Sequence, residues 1–184
     1  MAHSDPRGPA PGPDQQSGDY LCDLAHGIGD VPVPDRTLVA VFDSPVAGYL
    51  LHFGHHLGFR TVLVDPAPVA DPPPADTVAD ALDPSFVDKS ADVVVTDHDR
   101  PELGAVLRNA LALPARWIGV MGSIRHTAPH VEALRTLGTS EADIARVHRP
   151  IGLNIGSHTP PEIAVATLAG LLADRAGRPG GFVF

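Results

Sequence analysis

Gly122-Ser123, with the fixed cation of Arg125 close behind, is the set of residues in this chain best suited to hold a phosphate. A glycine permits a tight turn after a strand, a serine can cap the helix that follows, and the free amides of a helix start attract an anion. The same residues read equally well as a plain strand–helix turn with an N-cap. A second glycine-bearing loop, Gly152-Leu153-Asn154-Ile155-Gly156-Ser157-His158, precedes a helix start. Asn154 and its flanking glycines could approach a ligand through backbone groups, or simply turn the chain. A dinucleotide site would need G-x-G-x-x-G/A after the first strand. Phe42-Asp43-Ser44-Pro45-Val46-Ala47 stands there instead and keeps only the small last position. Phe42 would crowd the turn, Asp43 would repel a pyrophosphate, and Pro45 removes a donor from the helix start. Asp65 does lie about 20 residues further on, where an acid would meet a ribose hydroxyl.

The ten histidines invite a metal reading. His52, His55 and His56 are the best cluster, because positions i and i+4 meet on a helix. The stripe Val46-Leu50-Phe53-Leu57 would face the core, which puts these histidines on a solvated side with no carboxylate on the same helix. Asp97-His98-Asp99 reads as a polar loop at a strand end, or as part of a metal site completed from elsewhere. No metal ligand and no catalytic residue is assigned. The chain has no Gly-x-Ser-x-Gly elbow, no Walker loop and no His-Glu-x-x-His helix. Cys22 has no basic neighbour in sequence to activate its thiol. A single cysteine also excludes an internal disulfide framework and a cysteine-based zinc or iron–sulfur site.

Positioning these residues takes an alternation of strands and helices. Thr37–Phe42, Arg60–Asp65, Asp92–Thr96 and Trp117–Met121 are short apolar runs of the kind buried on both faces of a sheet. Helices are expected from Pro45 to Leu57, closed by Gly58, from Pro101 to Leu111, from Ile124 to Leu137, and from Ser140 to about Val147. Thr159-Pro160-Pro161-Glu162 combines a capping box with proline at the first helical position, so the last helix starts there. Its small, apolar residues suggest close packing on the sheet or on a second copy. Pro66–Asp76 is a proline-rich loop. The expected fold is α/β, a Rossmann-like open parallel sheet with helices on both faces. In such a sheet ligands bind beyond the carboxyl ends of the strands. Those ends are Asp43-Ser44-Pro45, Asp65-Pro66, Thr96-Asp97-His98-Asp99 and Gly122-Ser123-Ile124-Arg125.

The 184 residues suit one domain, and the net charge of −9 is unevenly spread. Residues 1–36 hold six Asp against Arg7 and Arg36, together with Pro6, Pro9, Pro11 and Pro13 in a polar start. That segment is expected to be disordered or weakly structured. A domain follows over 37–176, and 177–184 form a tail. With twelve Arg and one Lys against 22 acids, nucleic acid is not an expected partner. No basic start leads into an apolar run, and no stretch reaches the roughly 18 apolar residues of a membrane span. A cytoplasmic location is expected.

From Trp117 onward linked phrases resemble one family. Ile118-Gly119-Val120-Met121-Gly122-Ser123-Ile124-Arg125, Leu134–Gly138, Pro150-Ile151-Gly152-Leu153-Asn154-Ile155-Gly156 and Thr159–Ala164 are similar to the Rossmann domain of the XdhC/CoxI xanthine dehydrogenase accessory proteins. Upstream, Gly58-Phe59-Arg60 leading to Asp65-Pro66, and Val95-Thr96, extend the resemblance over roughly 37–176. It departs at Phe42-Asp43-Ser44, where the family has a glycine turn, at Ala67, where it has a basic residue, and at Asp97, where it has histidine. The resemblance implies an accessory protein that binds the molybdenum cofactor, as molybdopterin or its dinucleotide form, and assists maturation of a xanthine dehydrogenase-type molybdenum hydroxylase. It implies that client and a cysteine desulfurase as partners, while the small-residue face of the last helix suggests a homodimer. The cofactor-binding set would be Ser44, Asp65, Thr96, Gly119, Gly122, Ser123, Arg125, Gly152, Asn154 and Gly156. The alternatives are a Rossmann oxidoreductase using NAD(P) or FAD, weakened by Phe42-Asp43-Ser44, and an interaction scaffold with a vestigial nucleotide cleft.

Overall fold

The computed structural model describes residues 35–122 and 128–181. Its elements are β1 (Thr37–Val41), α1 (Pro45–His56), β2 (Arg60–Val64), β3 (Thr77–Ala79), β4 (Ala91–Val95), α2 (Leu103–Ala112), β5 (Trp117–Val120), α3 (Pro129–Thr136), α4 (Glu141–Ile144), β6 (Val147–His148) and α5 (Pro160–Arg175). The strands form one six-stranded sheet in the order β3-β2-β1-β4-β5-β6, and every pairing is parallel. This is the Rossmann order, whose reversal point lies between β1 and β4. Among the described residues no helix is long and apolar enough to cross a membrane.

Period-two alternation along the central strands divides the core between two faces. Val39, Val41, Val62, Val64, Val93 and Val95 pack against Leu103, Leu107 and Leu111 of α2 and Leu134 of α3. Leu38 and Val94 face the other way, toward Leu50 of α1 and Ala164, Leu168 and Leu171 of α5. Ala40 and Leu63 pack with Ala47 and Leu51 of α1. The buried residues of α1 are therefore Ala47, Leu50, Leu51 and Gly54. This corrects the expected stripe: Val46 and Phe53 are half-buried, and Leu57 is the exposed C-cap. His52, His55 and His56 are exposed, as a solvated face requires.

Other expectations need correction at their ends. The helix expected from Ile124 begins at Pro129 with Ala128 at its N-cap, so this helix is not capped at position 123. The helix expected from Ser140 to Val147 is one turn, Glu141–Ile144, capped by the Ser140 hydroxyl, and Val147 belongs to β6. The proline loop after Pro66 gives way to β3, an edge strand whose residues are half-buried and exposed in alternation. The Thr159–Glu162 capping box forms as read, with the Glu162 carboxylate accepting from the amides of His158 (2.8 Å) and Thr159 (3.0 Å).

At the end of the sheet remote from the ligand-facing loops, Asp92 fixes α5 to β4 and β5. Its fully buried carboxylate accepts from Arg116 Nε at 2.6 Å and from Arg175 Nε at 2.7 Å. Arg116 also bonds Asp174, while the Arg175 guanidinium donates to the Ser90 carbonyl and lies over the Phe59 ring. Burial pushes the Asp92 carboxyl above its ordinary range, against the pull of the two arginines. Removing one partner from such a buried pair leaves charges with nothing to compensate them. Asp92→Ala is therefore expected to cost about 3–5 kcal/mol in a urea unfolding measurement.

Candidate functional site

The carboxyl ends of β1, β2 and β4 are tied together by one carboxylate. Asp65 follows β2 directly and is only 5% exposed. Its Oδ2 accepts from the Asp43 amide at 2.8 Å and its Oδ1 from the Ala67 amide at 2.9 Å. Arg100, from the loop after β4, closes the set by donating Nη2 to Oδ1 at 3.1 Å and Nη1 to Oδ2 at 3.4 Å. Burial alone would raise the Asp65 carboxyl, but the two amides and the guanidinium hold it below the usual carboxylate range. The acid that a ribose would need therefore spends both oxygens on its own protein.

The turn after β1 is filled as well. Phe42 has φ +71°, a left-handed conformation in which a side chain is uncommon. It persists because the ring is completely buried and lies 4.7 Å below the Arg100 guanidinium. Strain of this kind costs about 1–3 kcal/mol, less than the roughly 3–5 kcal/mol set by burying a phenylalanine ring. The phenyl group thus occupies a turn at which dinucleotide folds keep glycine. Ser44 and Thr96 are equally committed. Ser44 Oγ accepts from the Ala47 amide as the N-cap of α1 and donates to Thr96 Oγ1 at 3.0 Å. Thr96 Oγ1 in turn reaches the carbonyls of Val41 and Phe42. Beside Asp65 a cavity of about 240 Å³ is lined in part by Val64, Pro66, Asp80, Leu82, Glu102 and Asn109, a set with no cation for a phosphate.

The ends of β5 and β6 are different. Gly119 is a packing residue: a Cβ there would fall 2.1 Å from the Trp117 ring, which stacks on His148 with centroids 5.0 Å apart. Gly122 (φ +155°) lies two residues beyond β5, and a Cβ on it would lie 2.6 Å from both Nε and Nη2 of Arg149. The missing side chain thus lets a guanidinium from the residue after β6 settle on the backbone turn. Gly152 (φ +84°) presses against α5, where a Cβ would meet the backbone of Ala166 and Thr167 at 3.0 Å, and its own Cα packs on Gly170. The Leu153 amide donates to the Ala166 carbonyl there. Asn154 and Gly156 are exposed on the same loop, so the second glycine loop offers only its outer part to a ligand. Ser123, Arg125 and Cys22 lie outside the described residues. Thr96 and Asp65 are brought together with Ser44 through the β1 turn, whereas Gly122 and Gly152 belong to the other half of the crevice.

Sequence reasoning misses three participants. Arg100 is 35 positions from Asp65 and Arg149 is 27 from Gly122, separations that only the parallel sheet closes. His130, the second residue of α3, is 4% exposed, and its Nδ1 makes no hydrogen bond. A cation three residues after Thr96-Asp97, on the strand-end loop facing Asp65, is the one signal that could have found Arg100. Among the described residues no group of three or more His, Cys, Asp or Glu is arranged to hold a metal. His55 comes within 4.0 Å of one carboxylate, Asp76, and its ring lies edge-on to His56.

Residues 38–171 match the family described as the XdhC Rossmann domain. An uncharacterized Escherichia coli protein, YqeB, is 35% identical over 91 residues, which are 50% of this chain and 16% of that protein. A solved chain from Bacillus halodurans, described as a xanthine dehydrogenase, superposes with a TM-score of 0.61 at 23% identity, over 82% of this chain and 46% of that one. The similarity therefore spans less than half of either relative, and the solved structure speaks for the fold.

If the Asp65 carboxylate is the tie that closes this half of the crevice, Asp65→Asn loses its charge-assisted bonds to Arg100 and destabilises the protein by about 1–3 kcal/mol at pH 7. The native-state pKa of Asp65 lies below the unfolded value, so its stabilisation is present above roughly pH 4 and is lost as pH falls through the native pKa. The difference in urea midpoint between parent and Asp65→Asn should accordingly shrink toward zero below that point; a difference independent of pH contradicts the assignment.

Proposed function

The chain belongs to the XdhC Rossmann-domain family, and from that premise we propose that it is an accessory protein that binds the molybdenum cofactor and assists maturation of a molybdenum hydroxylase. The observation that carries this reading is the unequal crevice. Its β1–β2 half is filled by Phe42 and by the Asp65–Arg100 pair, which does not fit a pyrophosphate or a ribose. Its β5–β6 half places the Arg149 guanidinium on the Gly122 turn, which fits the phosphate of a pterin cofactor. Gly122, Ser123 and Arg125 are the proposed phosphate-binding residues, and Asn154 and Gly156 would border the ligand. When bound, the cofactor would supply redox chemistry to its client enzyme; this chain's residues would hold it. A cytoplasmic location, a homodimer, and a hydroxylase client with a cysteine desulfurase complete the proposal.

The oxidoreductase alternative predicts NAD, NADP or FAD as ligand, and the filled β1 turn speaks against it. The scaffold alternative predicts a stable complex with the client in cells that make no cofactor. We expect molybdopterin or its cytosine dinucleotide to raise the melting temperature saturably, while NAD, NADP and FAD leave it unchanged. Arg125→Ala should weaken cofactor binding at least tenfold, about 1.4 kcal/mol. A saturable rise with a nicotinamide or flavin nucleotide and none with the pterin would overturn the reading.

A further inference from the structure

We propose that the cavity between α1 and the loop leading into β3 is a site for a divalent transition-metal ion of the zinc class, held by His55 Nδ1 and Asp76 Oδ1, with His52 as the third protein ligand. The inference is independent of the functional reading above. In the sequence, the histidines of α1 have no carboxylate on their own helix. The fold supplies one from the far end of the proline loop.

Asp76 is presented in a fixed direction. Its Oδ2 accepts from the Thr61 amide at 2.7 Å and from the Thr61 hydroxyl at 2.9 Å, and the Asp76 amide donates back to that hydroxyl at 3.1 Å. Thr61 is itself buried in β2. These bonds hold the Asp76 carboxyl below its ordinary range, so the group is a carboxylate at neutral pH. They also leave its Oδ1 without a hydrogen bond among the described residues. That oxygen lies 4.0 Å from His55 Nδ1, too far for a hydrogen bond. It is close to the spacing that an ion between the two atoms requires. Bonds of about 2.0–2.2 Å to each would span it almost in line, and a tetrahedral angle needs about 3.4 Å. The His55 side chain is 65% exposed, so a small turn of its ring closes the difference.

His52 sits three residues before His55, on the same side of α1. The two imidazoles line one cavity of about 190 Å³ together with Thr61, Pro74, Ala75 and Asp76. Two ligands thus already face each other, and the third is an exposed side chain that swings in by a rotamer change. No three-ligand set stands preformed among the described residues for that reason. Imidazoles with one carboxylate suit zinc, copper or nickel, whereas magnesium and calcium take oxygen ligands. A bound ion would clamp the edge strand β3 to α1.

The test is a calorimetric titration of zinc chloride into the full chain, prepared without a histidine tag and stripped with a chelator. Magnesium chloride is the control, and nitrogen-detected NMR follows the histidine rings. We expect one saturable zinc site per chain, no binding of magnesium, and His52 and His55 ring shifts that saturate with the calorimetric dissociation constant. Losing a second-shell partner of a metal site costs about 10–100-fold in affinity, so His52→Gln, His55→Gln and Asp76→Asn should each weaken zinc binding at least tenfold. His56→Gln removes an imidazole outside the cavity and should leave the affinity unchanged. Asp76→Asn also disturbs the Thr61 bonds; if circular dichroism shows it unfolded, the two exposed histidine variants decide the matter. No saturable zinc binding, or unchanged affinity in any folded variant of the three ligands, overturns the proposal. A tenfold loss in His56→Gln overturns it as well, because the ion would then sit on the His52–His56 pair, whose ring centroids are 4.9 Å apart.

Discussion

The buried carboxylate of Asp65 sets the character of the crevice. It gathers the Asp43 amide, the Ala67 amide and the Arg100 guanidinium, and so fastens the loops after β1, β2 and β4 to one another. Each loop would otherwise be free to adapt to a ligand. Phe42 completes the arrangement from below, in a backbone conformation that its burial and the Arg100 charge sustain. The usual dinucleotide half of a Rossmann fold has here become an internal brace. The proposed ligand site is the other half, where β5 and β6 end.

A second ion cluster works at the opposite end of the sheet. Asp92, Arg116, Arg175 and Asp174 join the start of β4 and the approach to β5 to the last turn of α5. The first turn of α5 is secured independently by its capping box. Between these points Gly170 meets Gly152, so the helix holds the loop from Ile151 to Gly156 at close range. The loop from Ile151 to Gly156 is thus packed on α5, a helix tied down at both ends, and its outer residues Asn154 and Gly156 are exposed.

Much of the fold was legible because its signals are local. β1, β2, β4 and β5 are apolar runs bounded by turn residues, and α5 carries its cap in four consecutive positions. β3 and β6 were not legible. Three half-exposed residues after a proline tract, and two residues after a one-turn helix, are too short to show a period, and only pairing with β2 and β5 makes them strands. The start of α3 was misplaced because Ser123 looks like a cap, while Pro129 provides the better-suited first residue. At the site, the sequence located Asp65 and Gly122 at strand ends and Gly152 in a loop before the last helix, but not their occupations. Asp65 is answered by an arginine 35 residues away, Gly122 by one 27 residues away, and Gly152 by a helix backbone. Contacts of that separation carry no pattern in a single sequence.

Membership of the XdhC Rossmann-domain family and the filled dinucleotide turn together support the proposed reading, in which the ligand would lie at the β5–β6 ends and not across the switch point between β1 and β4. The most direct test is a map of amide chemical-shift changes when molybdopterin is added to isotopically labelled protein. The account predicts saturable changes at Gly122 and from Arg149 to Gly156, with the amides of Asp43 and Ala67 unmoved because Asp65 still holds them. Changes concentrated at Asp43, Ser44 and Ala67, with Gly122 and Asn154 silent, would contradict it.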